Sequence, residues 1–139
     1  MSLSIRNQIP GTVVAVTPGE VMAMVKVRLV GGPDLTAAVT LEAVRELGLG
    51  DGSAVRVLMK STEVSLATGP VEGLSIRNRI PGTVSGIASG GAMAVVKVAV
   101  EGGGLTAAIT RDAVTDLGLA VGSPVVALIK STEIALATA

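Results

Sequence analysis

Between Val21 and Val30 the chain alternates: Val21, Ala23, Val25, Val27 and Leu29 are apolar at every second position. Side chains alternate across a strand, so this run predicts a β-strand over 21–30 with one continuous inner face. Its other face carries Met22, Met24, Lys26, Arg28 and Val30, half of it apolar, which predicts that something covers it. Upstream, Gly11 to Thr17 is rich in Val and predicts a strand, with Thr17-Pro18-Gly19-Glu20 as the intervening turn. Gly31 to Asp34 predicts the next turn. Leu35 to Val39 predicts a third strand, Val55 to Lys60 a fourth and Glu63 to Ala67 a fifth. Between the third and fourth the period changes. Leu41, Val44 and Leu47 share one face of a short helix over 41–47. Thr40 stands where an N-cap belongs and Gly48 where a helix stops; Glu42 lies in the first turn, where the helix dipole favours negative charge.

The same text is then written again. Leu3-Ser4-Ile5-Arg6-Asn7-Gln8-Ile9-Pro10-Gly11-Thr12-Val13 returns as Leu74-Ser75-Ile76-Arg77-Asn78-Arg79-Ile80-Pro81-Gly82-Thr83-Val84, with Gln8 against Arg79 as the one difference. Lys60-Ser61-Thr62-Glu63 returns as Lys130-Ser131-Thr132-Glu133. In the second copy Thr110 is the cap, Ala113, Val114 and Leu117 the inner face, and Gly118 the stop. A duplication overrides what length alone would say about domain count. It predicts two modules, 1–69 and 74–139, joined by a short linker, 70–73. Five short strands with one helix between the third and fourth is the layout of a small OB-like Greek-key barrel. The fold class is therefore all-β, as two tandem five-stranded barrels with one short helix each.

Composition narrows the chemistry. With no Phe, Tyr or Trp, the core has to be built from Val, Leu, Ile, Ala and Met, which bury less area per side chain than aromatics. Small modules with such cores are marginal alone, so the modules are expected to pack on each other or on further chains. The absence of Cys excludes disulfides and thiol catalysis, and the absence of His removes the commonest general base and transition-metal ligand. Eleven basic and 11 acidic residues cancel, and no basic stripe announces a nucleic acid. No apolar run is long enough to span a membrane, and no signal peptide is visible, so a cytoplasmic protein is expected.

The polar residues that recur at matching places are Ser4, Arg6, Asn7, Thr40, Lys60, Ser61 and Thr62, with Ser75, Arg77, Asn78, Thr110, Lys130, Ser131 and Thr132. Nearly all donate hydrogen bonds, and a fully ionised tetrahedral oxyanion only accepts them. Taken singly, each also has a plain structural reading: Ser-x-Arg-Asn as the start of a strand with Asn7 capping a turn, Lys60 as a solvated strand end, Thr40 as a helix cap. Duplicated folds repeat their structural residues too.

Ser4-Ile5-Arg6-Asn7 followed by Gly11-Thr12-Val13, the Val39-Thr40 step into the helix, and Lys60-Ser61 near the module's end together resemble the molbindin family. These are Mop or TOBE-type domains that bind molybdate and tungstate. The resemblance runs through each module and occurs twice, as in a tandem di-Mop protein. It implies OB-like barrels, a homotrimer of two-module chains, and oxyanions held at interfaces between modules. It nominates Ser4, Arg6, Thr40, Lys60 and Ser61, with Ser75, Arg77, Thr110, Lys130 and Ser131, as oxyanion ligands. It also implies further sites on the threefold axis, tied to an Asn and a Glu in the second strand. This chain has Met22 and Met93 there, and a Met side chain cannot donate to an oxyanion. Here the expectation is apolar packing at the oligomer axis.

The function expected is cytoplasmic molybdate or tungstate binding for storage or homeostasis, without catalysis and without an organic cofactor or a separately bound metal. Two alternatives fit part of the same pattern. A nucleic-acid-binding OB module needs stacking aromatics over a basic groove, and this chain has neither. A ligand-free assembly module shares every packing argument and is separated only by titration.

Overall fold

A computed structural model describes residues 2–139. The first half carries β1 (Asn7–Pro18), β2 (Met22–Leu29), β3 (Asp34–Thr40), α1 (Leu41–Leu47), β4 (Ala54–Met59) and β5 (Ser65–Ala67). The second carries β6 (Asn78–Ser89), β7 (Met93–Val100), β8 (Gly103–Thr110), α2 (Arg111–Asp116), β9 (Pro124–Ile129) and β10 (Ile134–Thr138). A one-turn 3-10 segment, Ser61–Glu63 or Ser131–Glu133, precedes each half's last strand.

The alternation of β2 does what its pattern predicts. Ala23, Val25, Val27 and Leu29 are buried, while Met22, Met24, Lys26 and Arg28 face outward. Val21, expected on the inner face, lies in the turn before the strand and is exposed. In α1, Val44 is buried but Leu47 is 39% exposed. The chain reverses at Gly48, whose φ is 62°, and Leu49 N–H then donates to the Val44 carbonyl at 3.0 Å. This left-handed stop turns Leu49 towards the core in place of Leu47. Gly118 repeats it, returning Leu119, while Leu117 is exposed.

β1 begins earlier than its Val-rich stretch suggests. Asn7 to Thr12 pairs antiparallel with Met59 to Ala54. Pairing with β2 starts only at Gly11, so Pro10 lies on a stretch that is an edge on that side, where a missing N–H is tolerated. Gly11 is needed for close approach: a Cβ there would meet Val27 Cγ1 at 2.6 Å, and one on Gly82 would meet the Ala99 carbonyl at 2.6 Å.

Each half contributes to both sheets. One sheet has the order β10-β4-β1-β2-β3, the other β5-β9-β6-β7-β8. β10 pairs with β4 from Ile134↔Met59 to Thr138↔Val55, and β5 pairs with β9 from Ser65↔Leu128 to Ala67↔Val126. β10 also lies against β3, and β5 against β8, so each sheet curls towards closure. The strand count and the single helix agree with the OB-like pattern, but the fifth strand of each barrel comes from the other half. The receiving strands β4 and β9 bury the same positions, so a terminal strand finds an equivalent edge in either half. The buried side chains accordingly form one continuous cluster across both sheets, including Val25, Val57 and Met59 with Val96, Ala127 and Ile129. Among the described residues, no helix is long and apolar enough to cross a membrane.

Candidate functional site

The pairing Asn7↔Met59 brings the residues before β1 and those after β4 out at the same end of the sheet. Ser4, Ile5, Arg6, Lys60, Ser61 and Thr62 there line an open pocket of about 240 Å³. Asn78↔Ile129 does the same in the second half. Ser75, Ile76, Arg77, Lys130, Ser131 and Thr132 line a pocket of the same volume, about 240 Å³. Each pocket offers a guanidinium, an ammonium and three hydroxyls, and neither is lined by a carboxylate.

The 3-10 turn shapes both. The sequence pattern places Lys60 and Ser61 in or just after a straight strand end. Instead β4 stops at Met59, Glu63 N–H donates to the Lys60 carbonyl at 2.9 Å, and the chain tightens around Ser61. Among the described residues, Ser61 Oγ is the buried side-chain polar atom left without a hydrogen-bond partner. A buried hydroxyl in that condition costs stability unless something fills its bond. In the second pocket Ser131 Oγ accepts a long contact from Asn78 Nδ2, 3.5 Å. The arginines fold back on their own backbone. Arg6 donates from Nε to the Ser4 carbonyl at 3.2 Å and from Nη2 to the Leu3 carbonyl at 3.1 Å; Arg77 donates from Nη2 to the Leu74 carbonyl at 3.0 Å.

Thr40 and Thr110 are not brought to these pockets. Each caps its helix, its Oγ1 accepting from Ala43 N–H or Ala113 N–H at 3.1 Å. Within one chain, four nominated residues of each copy converge and the threonine stands apart.

Asn7 and Asn78 carry a role the sequence concealed. They are 3% and 2% exposed, and neither caps a turn. Asn7 reaches across the chain to β8: its Nδ2 donates to the Thr106 carbonyl, and its Oδ1 accepts from Thr106 N–H, both at 2.8 Å. Asn78 grips Thr36 of β3 in the same way, again with two bonds of 2.8 Å. Each amide therefore acts as a short piece of strand joining one half to the other. The 3-10 turns pack on the same strands, Ser61–Glu63 against β8 and Ser131–Glu133 against β3, so each pocket abuts the seam between halves. The signal available in sequence was the repetition of Asn beside Arg, which a turn residue would show equally.

One ion pair lies away from the pockets. Arg28 Nε meets Asp34 Oδ1 at 2.9 Å across β2 and β3. The guanidinium's hydrogen bond holds the Asp34 carboxyl below its usual range, and the same bond raises Arg28. In the second half Ala99 stands opposite Gly104, so the pair has no counterpart.

Known proteins resemble this chain. The TOBE domain model matches residues 3–66 and again 74–136. The chain is 40% identical over 136 residues to the molybdenum-pterin-binding protein MopB of Rhodobacter capsulatus, covering 96% of this chain and 50% of that protein. It is 36% identical over 139 residues to the molybdenum transport protein ModE of Herbaspirillum seropedicae, covering 99% of this chain and 52% of that protein. The chain thus spans about half the length of the curated relatives it matches. A solved structure of the cytoplasmic molybdate-binding protein ModG, with molybdate bound, superposes with a TM-score of 0.95 at 39% identity, each chain covered in full. With the TOBE model matching both halves, and the Ser-x-Arg segment, the 3-10 turn and the helix cap each present twice in one tandem barrel frame, the chain belongs to the TOBE-domain family, in the Mop-type tandem form.

Proposed function

We propose that this protein binds molybdate or tungstate in the cytoplasm, for storage or homeostasis, and performs no catalysis. The observation that carries the reading is the buried, unpartnered Oγ of Ser61, a residue that lines a pocket with Arg6 and Lys60 and no carboxylate. A tetrahedral dianion accepts at every oxygen. It would satisfy the orphan hydroxyl and take charge-assisted bonds from the two cations. The second pocket supplies the same set through Ser75, Arg77, Lys130 and Ser131. The molybdate-binding neighbour of full-length overlap supports the ligand class and the compartment.

The same reading covers assembly. Met22 and Met93 are 44% and 49% exposed on the outward faces of β2 and β7, beside Met24 and Val95. An apolar strip of this kind is suited to a second and third copy of the chain, and Thr40 and Thr110, at the ends of β3 and β8, would reach a neighbouring chain's pocket only in such an assembly. A homotrimer is the form proposed.

Native mass spectrometry with and without molybdate tests both points at once. The expected result is a trimer mass that gains molybdate and is not matched by sulfate. The double variant Arg6→Ala, Arg77→Ala should keep the subunit count and lose the anions. Undiminished loading of that variant would remove the site assignment, and a chain that takes up no molybdate would leave a ligand-free assembly module.

A further inference from the structure

The two pockets use the same residue types, yet the straps that carry Ser4–Arg6 and Ser75–Arg77 are held differently. Gln8 stands in the first copy where Arg79 stands in the second. Gln8 reaches back with one bond, Nε2 to the Ile5 carbonyl at 2.9 Å, and its Oε1 accepts from Arg56 Nη1 at 3.2 Å. Arg79 reaches back with three: Nε to the Ile76 carbonyl at 3.0 Å, Nη1 to Val71 at 3.2 Å, and Nη2 to Leu74 at 2.8 Å. Val126 stands where the first half has Arg56, so nothing competes for the Arg79 site.

Leu74 and Ile76 bracket Ser75. In a planar trans peptide the carbonyl and the following N–H point in opposite directions. Holding these two carbonyls towards Arg79 therefore turns the Ser75 and Arg77 N–H groups away from it and fixes their direction. The pocket arginines differ as well. Arg6 is folded onto two carbonyls of its own strap, whereas Arg77 gives one bond, to a Leu74 carbonyl already held by Arg79. Arg77 has less to release before it turns to an anion, and its strap has less freedom to lose.

We propose that Arg79 is a positioning residue that preorganises the Ser75–Arg77 pocket and makes it the tighter of the chain's two oxyanion pockets. This rests on reading both pockets as oxyanion sites. The difference expected is about 3- to 10-fold in Kd, the size of one net hydrogen bond.

The test uses full-length chains with one pocket disabled, titrated calorimetrically with molybdate. Arg6→Ala with Lys60→Ala leaves the second pocket; Arg77→Ala with Lys130→Ala leaves the first. The second-pocket chain should bind more tightly by the stated factor. Adding Arg79→Gln should bring it down to the first-pocket value, and Arg79→Lys, which cannot span three carbonyls, should not restore it. In the first-pocket chain, Gln8→Arg with Arg56→Val copies the second strap and should tighten binding. A gain there is something a merely structural role would not produce, and it carries the test even if Arg79→Gln fails to fold. Equal affinities in the two single-pocket chains, or a transplant without gain, overturns this inference alone. Absence of molybdate binding in both chains overturns it together with the function it rests on.

Discussion

The seam between the halves and the straps beside the pockets teach different things about the duplication. At the seam the two copies make the same pair of bonds to the opposite strand. Asn7 bonds both backbone groups of Thr106, and Asn78 both of Thr36, all at 2.8 Å. At the straps they diverge: one bond from Gln8, three from Arg79. A buried amide has no alternative partner in water, so its geometry is tightly constrained, whereas a partly exposed strap can be held in several ways at similar cost. The halves are thus alike where each completes the other and distinct where each meets solvent.

Breaking the seam should have the largest effect. Asn78→Ala leaves the Thr36 N–H and carbonyl without their partner in a partly buried setting, at about 1–3 kcal/mol. Asn7→Ala should cost the same at Thr106, and urea unfolding of either variant should show one transition, because the exchanged strands make the halves a single unit. Two separate transitions would contradict that unit.

A smaller effect sharpens the comparison inside the pockets. Ser61→Ala removes a buried hydroxyl without a partner, so the unliganded chain should be unchanged or stabilised by up to about 1 kcal/mol. Ser131→Ala removes the acceptor at 3.5 Å from Asn78 and should be neutral or destabilising by up to about 1 kcal/mol. Both should weaken molybdate uptake. Thermal melts without anion read the first difference and anion titration the second; a clear loss of stability from Ser61→Ala would count against an orphan hydroxyl.

The smallest effect belongs to Arg28 and Asp34. The Asp34 carboxyl is depressed in the folded state by Arg28, so its stabilising contribution is present above the unfolded carboxylate pKa. It fades as pH falls through the depressed folded value. Both groups are solvent-exposed, so the effect should be slight and should shrink with salt. Acid titration of stability in the wild type and in Arg28→Ala should diverge above the carboxylate range and converge below it.

How much of this was legible depended on whether a residue's role is local. The β2 alternation, the Thr40 and Thr110 caps and the left-handed stops at Gly48 and Gly118 follow from neighbours in sequence, and the structure has them. Strand exchange is not local. The stretch 63–67 carries the same pattern whichever sheet it joins, and the duplication makes both edges equivalent. The 3-10 turn at Ser61 was hidden by the apolar strand before it. Asn7 and Asn78 were hidden because asparagine is ordinarily a turn residue, and only a partner 99 or 42 positions away distinguishes a buried clamp. At the pockets, recurrence in both copies picked out the Ser-x-Arg and Lys-Ser residues without showing that they meet. Why they meet is explained by the β1–β4 and β6–β9 registers.

Tungstate offers the most direct test of the central claim, since its scattering locates the anion without interpretation of weak density. Crystals grown with tungstate should give anomalous peaks at both pockets, with oxygens within about 2.7–3.2 Å of the Ser61 hydroxyl and of nitrogen donors on Arg6 and Arg77. Arg6 should have released the Ser4 and Leu3 carbonyls. Peaks confined to other surfaces, with Ser61 Oγ still unpaired and both arginines folded on their straps, would contradict the account.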